Sequence, residues 1–262
     1  MGTHLTNRKI ILSGDILERF QYALPVAYNF IRKPSQGGSS LVRESPEAVL
    51  ARSLSQTKHK LVRTINSNAR QWLDQSQNPF EPKFTTLTFA ENVADLNTAN
   101  HEFTNFLKNF NYYLTRSRVN HLRYVCVPEF QKRRAVHFHS VFFNLPWFQN
   151  ETLREIWSHG FVNIRGVSHV PNVGMYMTKY MTKDAIDNRL IGRKRYFSSR
   201  NLNRPILIRD PYRVDVVTKI IRGVPTTYEN TYESKHQGET ELRVYDLAKF
   251  PEAKRLVIEF LR

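Results

Sequence analysis

Two short runs in this chain carry residue types able to do chemistry together. His137-Phe138-His139 lies within Ala135 to Phe143, whose β-branched and aromatic content reads as a strand. A period of two puts both imidazoles on one face, where a divalent ion could bridge them. Some forty residues later comes Tyr176-Met177-Thr178-Lys179-Tyr180-Met181-Thr182-Lys183, without Gly or Pro and composed mostly of good helix formers. Tyr176 and Tyr180 then share one helical stripe, roughly 6 Å apart along the axis. A phosphodiester repels nucleophiles, so cutting it needs a cation on the non-bridging oxygens and an aligned attacking group. Imidazoles can hold the first, and a phenolate can be the second. A free tyrosine ionises near pH ~10, so Lys179 and Lys183 are candidates for stabilising the phenolate, or for holding a nucleic-acid backbone. Taken singly, each motif has an ordinary reading: a polar strand face for His-x-His, a packed aromatic stripe for Tyr-x-x-x-Tyr. Met175, Met177 and Met181 offer separate apolar faces, which frees the tyrosines from having to be the buried side.

The surrounding elements follow from periodicity and caps. Ser45-Pro46-Glu47 opens a basic helix to about Asp74, with Leu50, Leu54, Leu61, Ile65 and Trp72 as its expected buried stripe. Phe84 to Phe89 reads as a strand, and about Asp95 to Thr115 as a helix with Phe103, Phe106, Leu107, Phe110 and Leu114 inward. Leu122 to Phe130 and Val136 to Phe143 form a hairpin around Gln131 to Arg134. A short helix from Gln149 to His159 ends at Gly160, and Phe161 to Val167 is a further strand. Asn172 caps the tyrosine helix, which runs to about Asp184. Ser35 to Ser40 reads as a flexible loop, and Glu252 to Leu261 as a final helix. The hairpin argues for an α+β fold: a central, mostly antiparallel sheet with helices packed on one face, plus a helical N-terminal extension. The expected division is 1–80, basic and helical; 81–215, the core domain; and 216–262, a C-terminal extension.

Composition narrows the partners. The 39 Lys and Arg against 23 Asp and Glu leave a net charge of +16, the footprint of a polyanion-binding protein. No apolar run is long enough to span a bilayer, so no membrane is expected. The single cysteine, Cys126, excludes an internal disulfide framework and a Cys-rich zinc site, and its apolar neighbours make it a packed thiol. Arg189 to Arg222 holds ten basic and two acidic residues with Tyr196, Phe197 and Tyr212 interleaved. Cations there would track phosphates while rings stack on bases, which suits single-stranded nucleic acid. Arg193, Lys194, Arg195 and Arg200 from this stretch, with Arg133 and Arg134 of the hairpin turn, are the expected DNA contacts.

The histidine pair, the later tyrosine helix with interleaved lysines, and the upstream strand Phe84-Thr85-Thr86-Leu87-Thr88-Phe89 together resemble the HUH endonucleases. The doubled tyrosine is similar to that of rolling-circle replication initiators of small phages and plasmids. The resemblance covers about residues 83 to 205, including Arg195 to Asn201, and leaves out both ends. It implies a metal-dependent nickase and strand transferase: a tyrosine attacks origin DNA, leaving a 5′-phosphotyrosine and a free 3′-hydroxyl, and the second tyrosine serves to rejoin strands. It implies Mn²⁺ or Mg²⁺ on His137 and His139, with Glu129 of the paired strand as a third ligand; imidazoles alone would favour softer ions. Glu129 can equally be a hairpin-end charge facing Lys132 or Arg133. Single-stranded origin DNA, a host helicase and a host polymerase are the implied partners, and a bacterial cytoplasm the implied compartment. No phosphate-binding Gly-x-x-x-x-Gly-Lys-Ser/Thr loop marks a fused helicase. A single-strand transposase or relaxase of the same superfamily is the alternative; relaxases place tyrosine before histidine, against the order seen here. A nucleic-acid-binding protein without catalysis is the reading from another class. Which tyrosine acts first is not legible at this level.

Overall fold

In the stretch between Lys83 and Ser198, alternation of apolar residues with Thr, His and Cys builds a five-stranded sheet that buries both of its faces. The computed structural model describes residues 4–28, 45–131, 133–147, 149–167, 169–183, 193–234 and 236–262. The chain forms two compact units, one of residues 50–203 and one assembled from 1–49 and 204–262.

The 50–203 unit contains helix α1 (Pro46–Asn66, which begins just ahead of it), strand β3 (Lys83–Thr88) and helix α2 (Leu96–Thr115). These are followed by β4 (Tyr124–Phe130), β5 (Val136–Phe142), α3 (Asn150–Trp157), β6 (Val162–Gly166), α4 (Val173–Lys183) and β7 (Phe197–Ser198). The strand order is β6-β3-β5-β4-β7, antiparallel throughout. On one face, Leu87, Cys126, Phe138 and Phe142 pack with Phe103, Phe106 and Phe110 of α2 and Leu153 and Trp157 of α3. On the other, Phe84, Val125, Val127, Val141 and Phe143 pack with Leu61 and Ile65 of α1 and Met177 and Tyr180 of α4. Each fully buried Phe or Leu side chain contributes roughly 1.5–3 kcal/mol by leaving water. Asp95 caps α2 by accepting from the Thr98 amide, and Ser45 accepts from the Ala48 amide at the start of α1.

In the unit made from the two ends, β1 (His4–Ser13) and β2 (Ile16–Tyr28) form a hairpin across Gly14 and Asp15; β8 (Ile206–Ile208) flanks β1, and β10 (Gly238–Asp246) flanks β2. β9 (Tyr228–Ser234) completes the order β8-β1-β2-β10-β9. Helices α5 (Pro211–Ile220) and α6 (Pro251–Leu261) cover one face, burying Val214, Val217 and Val257 against Ile10, Leu12, Leu17, Ile208 and Tyr245.

The chain thus adopts the expected α+β class with antiparallel pairing. Helices cover both faces of the central sheet rather than one, because β3, β4 and β5 are apolar on both sides. The N-terminal extension is not wholly helical, since residues 4–28 are a hairpin joined to β8 and β10. The compact units also divide the chain otherwise than 1–80, 81–215 and 216–262. Helix α1 stops at Asn66 instead of Asp74, because Asn68 and Trp72 turn back, the Trp72 indole donating to the Asn68 side chain at 3.2 Å. Of its expected stripe Leu61 and Ile65 are buried, whereas Leu50 is exposed. The Ser35–Ser40 loop lies outside the described residues.

Candidate active site

The pleat of β5 turns Val136, Phe138 and Phe142 towards α2 and α3, so His137 and His139 project to the opposite face with Val141, the face on which α4 lies. Register then sets their neighbours. Glu129 of β4 stands directly opposite His137, and Thr86 of β3 directly opposite His139. The Glu129 carboxylate meets His139 Nε2 at 2.5 Å, and the Thr86 hydroxyl lies 3.2 Å from His139 Nδ1. Both ring nitrogens of His139 are therefore engaged, while the Nε2 of His137 is buried with no hydrogen-bond partner. Burial, reinforced by the neighbouring His139, lowers the His137 pKa from 6.5 to about 4. It is a neutral imidazole near pH 7, as a metal ligand must be.

Helix α4 is docked onto α1 by asparagines. Asn172 accepts from the Met175 amide at 2.9 Å, capping α4, and also from the Asn66 side chain at 3.0 Å. The Gly174 amide in turn donates to Asn66 Oδ1 at 3.0 Å. Gly174 is required by space: a Cβ there would sit 2.5 Å from the Val62 carbonyl oxygen. With its first turn fixed in this way, α4 buries Met177 and leaves Met175 exposed. Tyr180 is 9% exposed, stacked on the His139 ring at 4.0 Å and on Phe84 at 5.2 Å. The methionines therefore do not keep both tyrosines out of the core: Tyr180 is part of it.

Tyr176 is half-buried, its ring edge-on to Phe84 at 5.6 Å, and its hydroxyl lies 3.4 Å from that of Tyr180. Arg165 of β6 donates to the Tyr176 hydroxyl, and Lys179 Nζ lies 3.8 Å from the Tyr176 ring centre. Burial raises the Tyr176 pKa, but the Tyr180 hydroxyl and the Lys179 and Arg165 cations outweigh it, so the net shift is downward. Tyr180 moves the opposite way, pushed up by burial and by Tyr176. The side chain of Lys183 and residues 184–192, Arg189 included, lie outside the described residues.

The face thus holds two imidazoles, one carboxylate and two phenols. His137, His139 and Glu129 are adjacent, yet among the described residues no group of three or more His, Cys, Asp or Glu is disposed to hold a metal ion. Glu129 and His139 are bonded directly, which turns these two donors onto each other. The donor set still fits a divalent cation, on the strength of the buried, unpartnered His137 Nε2 beside a carboxylate.

The expected DNA contacts are dispersed. Arg133 is exposed, yet it donates to the carbonyls of Phe89 at 2.5 Å and Ala90 at 3.2 Å, and thereby fixes the hairpin turn. Arg134 is exposed with φ +72°. Arg193 reaches Asn97 Oδ1 at 2.8 Å; Lys194 and Arg200 are exposed, and Arg195 is partly so. Cys126 is fully buried, and burial raises its thiol pKa, as a packed core thiol requires. Sequence reasoning missed Arg165, whose alternation with Ile164 in β6 hints at an outward-facing cation but not at its phenol partner.

Residues 82–185 match the model of the family Replication-associated protein ORF2/G2P, a rolling-circle replication initiator family. The matched stretch starts one residue before β3 and ends just past α4, so it takes in the two histidines, Glu129, Arg165 and both tyrosines. It supports a replication-associated protein with DNA as its partner and suggests nuclease activity. No curated protein and no solved structure matches the chain. Among the described residues no helix is long and apolar enough to cross a membrane.

Proposed function

We propose that this protein starts rolling-circle replication by nicking single-stranded or melted origin DNA with Tyr176, and rejoins strands with the help of Tyr180. The observation that carries the reading is the placement of both phenols on the histidine face: Tyr180 against His139 at 4.0 Å, and Tyr176 one hydroxyl further out at 3.4 Å. In the first step the Tyr176 phenolate oxygen attacks phosphorus and the P–O3′ bond breaks. The 3′ oxygen takes up a proton and is left as a hydroxyl able to prime synthesis. The 5′ phosphate stays on Tyr176. Arg165 and Lys179 hold the phenolate charge before attack. After a round of synthesis, attack by Tyr180 on the regenerated site frees a 3′-hydroxyl, which displaces Tyr176 from the first phosphate and closes a circle.

His137, His139 and Glu129 would hold Mn²⁺ or Mg²⁺. When bound, the ion neutralises charge on the non-bridging phosphate oxygens. Strand separation and synthesis would fall to a host helicase and polymerase.

The direct Glu129–His139 bond favours a second reading, binding of DNA without cleavage. Incubation with labelled single-stranded origin DNA and Mn²⁺, followed by denaturing electrophoresis, separates the two. Nicking gives a covalent adduct that maps to Tyr176 and disappears in the Tyr176→Phe, Tyr180→Phe double variant. Retained DNA affinity with no adduct at any divalent ion tried leaves only the binding reading.

A further inference from the structure

At the end of the central sheet remote from the histidines, Arg123 carries a charge that the proposed cleavage chemistry does not use. It immediately precedes β4, and strand alternation puts it on the face of Val125, Val127 and Glu129, the face that carries both tyrosines. At ~3.3 Å per residue, it stands about 20 Å along the strand from Glu129. Its backbone is pinned twice: the Arg123 amide donates to Asn144 Oδ1 at 2.9 Å, and its carbonyl accepts from the Phe143 amide at 2.9 Å. The guanidinium lies 3.8 Å from the centre of the Trp72 ring. Trp72 is itself held, since its indole donates to Asn68, and Asn68 donates to the Thr64 and Asn203 carbonyls at 2.8 and 3.0 Å.

Stacking on an aromatic face orients a guanidinium without cancelling its charge. Arg123 is half-buried, and its Nε is buried with no hydrogen-bond partner. Burial depresses its pKa, and among the described residues no carboxylate opposes that effect. The side chain still stays ionised, because a guanidinium keeps its proton throughout the physiological range. A cation taken partly out of water without a counter-charge is unfavourable, and an anion that supplies the missing bonds offsets the penalty. Among the described residues neither terminal nitrogen of Arg123 donates a hydrogen bond. Such a fork of parallel N–H donors takes two oxygens of one phosphate. The chain alongside adds to the positive potential. Ser199 donates its amide to the Tyr124 carbonyl at 3.0 Å and Asn201 donates to the Asn120 carbonyl at 3.5 Å, so the exposed Arg200 between them lies at the same edge of the sheet.

We propose that Arg123, oriented by Trp72, binds a backbone phosphate of the single-stranded DNA several nucleotides from the bond cut at Tyr176. The proposal rests on the reading of DNA as the partner, but not on cleavage. The ~20 Å between Arg123 and Glu129 corresponds to about six stacked nucleotides at ~3.4 Å each. The contact anchors the strand independently of base sequence, because phosphates carry none.

The test is a binding titration of the full chain, in a Tyr176→Phe, Tyr180→Phe background so that no adduct contributes. A labelled mixed-sequence single-stranded oligonucleotide is followed by fluorescence anisotropy across a salt series. Arg123→Gln should weaken binding about tenfold or more, and should make the slope of log affinity against log salt shallower by about 0.7, for one phosphate no longer neutralised. Arg123→Lys should keep the slope and recover only part of the affinity, because an ammonium lacks the planar fork. Unchanged affinity and slope in Arg123→Gln would overturn the proposal, as would an equal change from Lys108→Gln, an exposed cation of α2 on the opposite face of the sheet. If Arg123→Gln lowers the melting temperature, phenylglyoxal mapping of the chain with Arg123 intact decides. The oligonucleotide should shield Arg123 from modification, and an equal rate with and without DNA would overturn the proposal. Equal shielding by inorganic phosphate at the same phosphate concentration would also overturn it, by marking a free-anion site. Adduct formation by the otherwise wild-type chain is a separate readout. An adduct without the slope change sinks the Arg123 proposal alone; the slope change without an adduct sinks the nicking proposal alone.

Discussion

Four residues separate Tyr176 from Tyr180, and their surroundings pull the two phenols in opposite directions. Arg165, Lys179 and the neighbouring hydroxyl favour the Tyr176 phenolate, whereas burial among His139 and Phe84 keeps Tyr180 protonated. Tyr176→Phe should therefore lower the first cut by about two orders of magnitude or more in single-turnover kinetics. Tyr180→Phe should spare the first cut and block the second transfer. Because attack needs the phenolate, its rate rises with pH through the Tyr176 ionisation. Arg165→Gln should shift that limb to higher pH and Arg165→Lys should largely restore it; an unmoved limb would remove Arg165 from the chemistry. His137 supplies a second pH test. Its folded pKa, about 4, lies below the ordinary imidazole value of 6.5, so the unfolded chain binds more protons between those values. Stability should fall as pH drops through that window, and His137→Gln should flatten the dependence of the melting temperature on pH. Mn²⁺ should raise the melting temperature of the wild-type chain at neutral pH and not that of the variant.

At the scale of elements, everything the phenols do depends on how α4 is seated, and its seat is the Asn66–Asn172–Gly174 contact with α1. Gly174→Ala would press a methyl group to 2.5 Å from the Val62 carbonyl oxygen. Forced overpacking of this kind costs about 1–3 kcal/mol, readable in a urea titration, and should reduce adduct formation by displacing Tyr176. Much of this neighbourhood could be read from the sequence. The apolar spacing from Phe103 to Leu114, the alternation in β3, β4 and β5, and Asn172 ahead of the tyrosines marked the elements within a few residues. His137 and His139 on one face followed from the period of two alone. Other features were not legible, for physical reasons. Arg165 meets Tyr176 only because β6 pairs with β3, a contact between distant parts of the chain. The first hairpin turns at Gly14, with φ +61°, but strands β8, β9 and β10 that complete its sheet lie some two hundred residues away. The two-sided cover of the central sheet was hidden because apolar runs of this length do not reveal which helix lies on which face.

For the molecule as a whole, charge is unevenly shared. The 50–203 unit carries 22 Lys and Arg against 10 Asp and Glu, whereas the other carries 17 against 13. Most of the salt sensitivity of DNA binding should therefore belong to the unit holding the tyrosines. Removal of residues 223–262 deletes β9, β10 and α6, stripping β2 of its neighbour and α5 of its packing partner. Hydrogen exchange should then show the amides of 4–22 losing protection, although the cut lies at the far end of the chain. The clasp between β2 and β10 also dictates a timetable on the ribosome. At about 5–20 residues per second, the first hairpin waits roughly 10–40 seconds for its partner strand while the tyrosine-bearing unit emerges entire in the interval. During that wait the hairpin is a nascent segment with an unguarded edge, where a chaperone, or a neighbouring nascent copy, would find it first.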